Sequence, residues 1–208
     1  MIEKLINWQP ELLENDIIKI IPLKESDFKN LYNVASDPLI WEQHPATDRY
    51  KKEIFQIFFD EAVLGGMAFL LIDKTTNRIL GSTRYYDFKK ENSSIALGYT
   101  FLARENWGGY YNGATKKILI DYAFQYVNEI YFHIGATNFR SQKAIKKIGG
   151  IKTKEIDFGN TRQKSPHFEY LIQKQNWISQ WKNNNETLTA GSCNANNKTI
   201  KQGENQRR

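Results

Sequence analysis

The 208-residue sequence predicts a mixed α/β domain, and three observations carry that prediction. Residues 67–73 (MAFLLID), 78–88 (RILGSTRYYDF) and 94–104 (SIALGYTFLAR) are rich in β-formers and separated by short polar turns, the pattern of an antiparallel meander. Beyond them, strand-like and helix-like segments alternate, which adds parallel pairing to the sheet. The length and a hydrophobic content of 40% suit one substantial core. The expected fold is a mostly antiparallel sheet of about six to seven strands flanked by helices.

In chain order, residues 17–23 (IIKIIPL) alternate as a strand, with Pro22 marking its exit. Phe28, Leu31, Tyr32 and Ala35 recur at helical spacing over 24–36, and Ile54, Phe55, Phe58, Phe59 and Ala62 do so over 49–64. The loop between them holds Trp41, Glu42, His44 and Pro45. Gly65-Gly66 ends the second helix, and the nearly continuous apolar run 67–73 suits a strand buried on both faces. Residues 112–127 form a third helix with Leu119, Tyr122, Ala123, Tyr126 and Val127 on one stripe. A strand over 129–136 and a short helix opened by Asn138 follow. Residues 151–158 and 167–173 read as closing strands joined by a loop over 159–166. One domain over 1–182 and a disordered polar tail over 183–208 are expected, because large apolar residues nearly vanish in the tail.

The most informative stretch joins the 94–104 strand to the third helix. Glu105 to Gly113 (ENWGGYYNG) supplies Gly108, Gly109 and Gly113 just before an apolar-periodic segment, with Asn112 as the expected N-cap and Lys116 and Lys117 close by. A helix N-terminus offers unpaired N–H groups and the positive end of the helix dipole, so an anion such as a phosphate is its natural ligand. One strand later comes Asn138-Phe139-Arg140-Ser141, ending in Lys147 and Gly149-Gly150. A Trp-Gly turn, a helix ending in Tyr122-Ala123-Phe124, and an Asn-x-x-Ser helix resemble the GNAT superfamily of acyl-CoA N-acyltransferases. The pattern is similar to the branch that includes the ribosomal-protein N-terminal acetyltransferases, over about residues 16–182.

The resemblance implies direct attack of a neutral amine on the thioester of acetyl-CoA, with acetyl-CoA as co-substrate, no metal and no covalent intermediate. It also implies a splay between two central parallel strands, here 94–104 and 129–136. The backbone of Phe101, Leu102 and Ala103 would meet the pantetheine amides, and Trp107, Gly108, Gly109, Tyr110, Tyr111, Asn112 and Gly113 would hold the pyrophosphate. Asn138 would bond the arm through its side chain, Ser141 would stand near the thiol, and Arg140 and Lys143 would reach the adenosine phosphate. Relatives often carry a catalytic Glu where this chain has Ala96, an acidic Tyr where it has Ile145, and a Gly where it has Tyr110. The expected catalytic residues are therefore Ser141 as proton donor and His133 or Glu42 as base, with Glu169 as a further candidate. The acceptor would be a protein N-terminus or a small amine such as a polyamine or an antibiotic. A catalytically weakened acyl-CoA sensor is the alternative.

The net charge of +6 suits anionic ligands without choosing among them. No aromatic-basic RNA motif is visible, so nucleic acid is not an expected partner. Cys193 is the sole cysteine, which excludes an internal disulfide and points to a reducing, cytoplasmic setting. One Cys and three scattered His assemble no metal motif, and the N-terminus has neither the basic start nor the apolar core of a leader. With no apolar run of membrane-spanning length, no membrane partner is expected, and the chain would act as a monomer or homodimer.

Overall fold

The computed structural model describes residues 6–160 and 163–180. Contacts divide the chain into a compact unit, Met1–Ile172, and a second unit, Gln173–Arg208, whose described part is helical over 174–180. The expected tail over 183–208 lies outside the described residues.

The described residues form strands β1 (Leu13–Glu14), β2 (Ile18–Pro22), β3 (Ala68–Asp73), β4 (Ile79–Lys89), β5 (Ser94–Leu102), β6 (Glu129–Gly135), β7 (Ile151–Asn160) and β8 (Gln163–Gln173). They form an eight-stranded sheet in the order β1-β2-β3-β4-β5-β6-β8-β7. That is one strand more than expected, because two residues of the N-terminal segment pair with β2 through Leu13 and Ile20. Pairings within β1–β5 and between β7 and β8 are antiparallel, whereas β5 and β6 run parallel. The loop expected over 159–166 is instead largely strand, since β7 and β8 stay in register as far as Asn160 and Gln163.

Among the described residues before 151, helices α1 (Phe28–Ala35), α2 (Lys52–Leu64), α3 (Tyr110–Ala123) and α4 (Phe139–Lys147) flank the sheet. The predicted apolar spacings place α1 and α2 on one face. There Leu31, Ala35, Phe55, Phe58, Phe59 and Ala62 pack with Ala68, Leu70 and Phe101 of the sheet. On the other face Leu119, Ile120 and Ala123 of α3 are fully buried, and Tyr85 of β4 donates its hydroxyl proton to the Leu119 carbonyl. The stripe of α3 differs from the expected one. Thr115 and Lys116 join the buried side, while Tyr126 is exposed beyond the helix end and Tyr122 donates to the Asn7 carbonyl at 2.6 Å.

Two irregularities shape the centre of the sheet. The β4–β5 register shifts between Ser82↔Phe101 and Arg84↔Gly98, so β5 carries one extra residue, a β-bulge at which Tyr99 takes φ +52°. A bulge interrupts the period-two alternation, which places Gly98 and Tyr99 on the same face. The Tyr86 ring lies across Gly98 and meets Tyr99 with centroids 4.9 Å apart. Two pairs along, where it faces Leu102, Gly81 has φ +155°, and a Cβ there would stand 2.0 Å from the Phe101 carbonyl oxygen. Backbone approach of that kind admits only glycine.

Candidate functional site

Strands β5 and β6 pair over Ser94–Ala96 and Glu129–Tyr131 and no further, although both continue for several residues. Their facing edges beyond that point are left unpaired by each other, which is the splay the resemblance implied. Edge amides inside a protein need partners, so an extended polar chain fits between them. Part of the β5 edge is committed elsewhere. The Trp107 indole donates to the Leu102 carbonyl at 3.0 Å, while the Ala103 N–H faces the other way and continues the β4 pairing to the Leu80 carbonyl at 2.7 Å.

The splay leads into the glycine turn. Residues 104–106 make a 3₁₀ turn, Gly108 swings to φ +70°, and α3 starts at Tyr110 with Gly109 as its cap. Asn112 is therefore not the N-cap expected from the sequence. The left-handed Gly108 reverses the chain early enough for the cap to fall three residues sooner, at Gly109. No side chain caps this N-terminus. A Cβ added at Gly108 or Gly113 would meet no atom within 4 Å, and Tyr110 is 80% exposed, so the large side chain leaves the turn open. Such a turn fits a pyrophosphate through its free amides and the helix dipole. Tyr111 points elsewhere, donating its hydroxyl proton to Asp73.

The neighbouring lysines are placed differently from the expectation. Lys117 pairs with Asp121 at 2.5 Å. Lys116 is buried under the splay, where it donates to Thr100 Oγ1 at 2.8 Å, and burial pulls its ammonium down to about 7.

Helix α4 begins on the far side of the splay. Asn138 is its N-cap: Oδ1 accepts from the Ser141 N–H at 3.0 Å, and Nδ2 makes no hydrogen bond among the described residues. The cap and ligand roles are therefore compatible, using different atoms of one amide. Arg140 is taken up by the loop that follows α1. Its guanidinium donates to the Ile40 carbonyl at 3.2 Å, lies 3.6 Å from Glu42 Oε1, and stacks over Trp107 with Cζ 3.6 Å from the ring centroid. Glu42 thus stands as an ion-pair partner of Arg140, beside the N-terminus of α4.

His133 stands in β6 just beyond the paired stretch, and its side chain is only 8% exposed. It is not an exposed strand histidine. Tyr86 Oη lies 2.8 Å from Nδ1, and Glu169 Oε2 lies 3.5 Å from Nε2. The tautomer that serves both accepts from the Tyr86 hydroxyl at Nδ1 and turns Nε2–H toward Glu169. Thr153 donates to Glu169 Oε1 at 2.8 Å, and Lys154 lies 3.5 Å from Oε2. Burial lowers the His133 pKa, while the charge of Glu169 and its hydrogen bond oppose that shift. Burial raises the Tyr86 pKa, which keeps the phenol protonated. His133 and Glu169 line a cavity of about 150 Å³ together with Ala96 and Tyr131. The small Ala96 side chain sits in its wall, where relatives often carry the Glu.

Two arginines that sequence reading passed over stand where the bulge meets α2. Arg84 of β4 stacks its Cζ 3.7 Å from the Tyr99 ring centroid, and Arg49, just before α2, lies 4.3 Å from that of Phe58. Arg84 was legible as a charge within an apolar strand. Nothing local announced Tyr86 or the bulge. Ile145, in the place of the family's acidic tyrosine, is 3% exposed core, and the Gly150 backbone packs against it.

Comparisons with known proteins agree with this fold. A GCN5-related N-acetyltransferase from Brucella melitensis superposes with a TM-score of 0.70 at 14% identity, over 82% of this chain and 83% of its own. A protein described as a ribosomal-protein-serine acetyltransferase, from Vibrio cholerae, gives 0.64 at 13% identity, over 78% and 97%. RimJ of Mycobacterium smegmatis, solved in complex with CoA-disulfide, gives 0.60 at 12% identity, over 79% and 87%. At these identities the likeness shows the shared fold. No curated protein matches the chain by sequence. The Acetyltransferase (GNAT) domain model matches residues 18–151, more than half of the sequence, and the chain therefore belongs to the GNAT acetyltransferase family.

Proposed function

We propose that the protein transfers an acetyl group from acetyl-CoA to the amine of a protein or peptide N-terminus. The observation that carries this reading is the splay of β5 and β6 opening onto an uncapped, glycine-lined helix N-terminus. Acetyl-CoA supplies the activated thioester. The pyrophosphate would rest on the amides from Gly108 to Asn112, and the pantetheine arm would meet β5 near Phe101 and Leu102 and Nδ2 of Asn138. Arg140, held by Ile40, Glu42 and Trp107, would border the slot as part of its wall. Ser141 is the proton donor to the departing thiolate in this reading.

The amine must lose a proton as it attacks. His133, neutral at physiological pH by burial, is the base in this reading: the Tyr86 hydroxyl, which donates to Nδ1, passes its proton to the ring and takes the amine's proton through water, while Glu169 faces the Nε2–H. A peptide α-amine, with a pKa of about 8, suits such a base better than a lysine near about 10.4. A cytoplasmic setting belongs to the same reading. Among the described residues no helix is long and apolar enough to cross a membrane.

A second reading, an acyl-CoA sensor with little turnover, is favoured by Ala96 and by the burial of Ile145. The experiment that separates the two offers acetyl-CoA with a panel of peptide N-termini, polyamines and aminoglycosides, and follows thiol release and the mass of the amine. Transfer to peptides supports the proposal. Transfer confined to small amines moves the acceptor class, and tight binding without transfer favours the sensor.

A further inference from the structure

The face of the bulge that looks toward α1 and α2 holds two guanidinium groups and no carboxylate to match them. Arg84 and Arg49 both approach the Phe58 ring, with Cζ 5.4 and 4.3 Å from its centroid, and Arg49 also lies 5.2 Å from Trp41. Neither forms an ion pair among the described residues. Arg84 Nε is buried without any hydrogen-bond partner. Buried charges in proteins are ordinarily paired, and buried polar atoms are ordinarily bonded. Glu61 and Asp48 act on Arg49 through coulombic attraction alone, without an ion pair.

Arg49 is no better served by its one polar neighbour. His44 faces it, with Nε2 3.2 Å from the guanidinium, while the Ala46 N–H points at Nδ1 of the same ring at 2.9 Å. A neutral imidazole has one ring lone pair in its plane and can accept from only one of these donors. Two donors therefore compete for one acceptor, and burial next to Arg49 holds His44 neutral. Aromatic rings stabilise the flat faces of the two guanidinium groups and leave their N–H edges unanswered, which is the arrangement that receives a planar oxyanion.

Arg84 stands opposite Gly98 and against Tyr99, so this unanswered charge sits at the bulge, beside the point where the splay opens. We propose that the acceptor amine carries a carboxylate within a few bonds, which Arg84 and Arg49 hold in a charge-assisted clamp while the amine is presented at the splay. This specificity rests on the acetyltransferase reading above. It narrows the acceptor class to amino acids or to peptides beginning with an acidic residue, and it excludes polyamines and aminoglycosides, whose added positive charge would meet two arginines. In electrostatic terms the site selects by leaving its own donors unpaired when the carboxylate is missing.

The test uses matched pairs that differ in one group: glycine against glycinamide, and glutamic acid α-amide against glutamine amide. Each is assayed for acetyl transfer by the full chain, and the acetylated product of each is titrated by tryptophan fluorescence, since Trp41 adjoins Arg49. The acid member of at least one pair is expected to win by about tenfold or more in kcat/KM, mainly through KM. Arg84→Gln and Arg49→Gln should bring that ratio close to one with acetyl-CoA affinity retained, which also shows that the variants are folded. Equal use of acid and amide, a preference for polyamines, or loss of acetyl-CoA affinity in Arg84→Gln would overturn the proposal. Acid-selective product binding that disappears in Arg84→Gln, without transfer to any amine, would uphold the anion site and defeat the acetyltransferase reading instead.

Discussion

Replacing His133 by Gln is expected to lower kcat by roughly 10²–10⁴-fold while acetyl-CoA affinity stays within a few-fold of wild type. The size follows from losing a positioned proton acceptor in the transition state. Retained affinity follows because His133 borders the cavity beside Tyr86 and Glu169, away from the glycine turn. A pH profile sharpens the expectation. The base works unprotonated, and burial depresses the His133 pKa. Referred to the concentration of neutral amine, kcat/KM should therefore persist below pH 6.5, the ordinary histidine value, and fall only on further acidification through the lowered pKa. Glu169 raises that pKa against the effect of burial, so Glu169→Gln should move the acid limb of kcat/KM to still lower pH. A limb at or above the ordinary value, or one that rises in Glu169→Gln, would remove His133 from the role.

Gly81→Ala is expected to be among the most damaging single substitutions in the sheet. Its Cβ would stand 2.0 Å from the Phe101 carbonyl oxygen and 2.9 Å from the carbonyl carbon, backbone atoms that cannot swing aside as a side chain could. Overpacking costs about 1–3 kcal/mol, and a disfavoured φ adds about 1–3 kcal/mol. A loss of about 3 kcal/mol or more is expected in chemical denaturation at an unchanged m-value. The strain falls on β5 just past the bulge, so acetyl-CoA affinity should fall even where the variant folds. Gly113→Ala is the control, because nothing lies within 4 Å of the added methyl. Equal stabilities for the two variants would show that the close β4–β5 approach is not structural.

The repeating elements were legible because they rest on local chemistry. The apolar spacing of Phe55, Phe58 and Phe59 set the buried face of α2, and Asn138 is the cap of α4 that its side chain suggested. Where a neighbour decides, local signals ran short. The α3 start moved to Tyr110 because Gly108 could adopt a left-handed turn, a freedom visible in composition but not in its consequence. The β7–β8 strands outran their predicted ends because pairing between them overrides the polar character of residues 159–166. The pairing partners of the site are remote in sequence. Tyr86 meets His133 across 47 residues, and Glu169 joins them from β8. The bulge at Tyr99, which aligns Gly98, Tyr99 and Phe101 on one face, has no sequence signature that strand alternation could expose.

The splay and its glycine turn are expected to hold acetyl-CoA. Calorimetric titration of the full chain with acetyl-CoA, set against CoA and ATP, tests that expectation most directly. Saturable one-to-one binding of acetyl-CoA and CoA is expected, with weaker binding of ATP and a loss of affinity in Asn138→Ala, which removes the free amide nitrogen from the edge of the slot. Absence of acetyl-CoA binding, or affinity no greater than that for ATP and unchanged in Asn138→Ala, would contradict it.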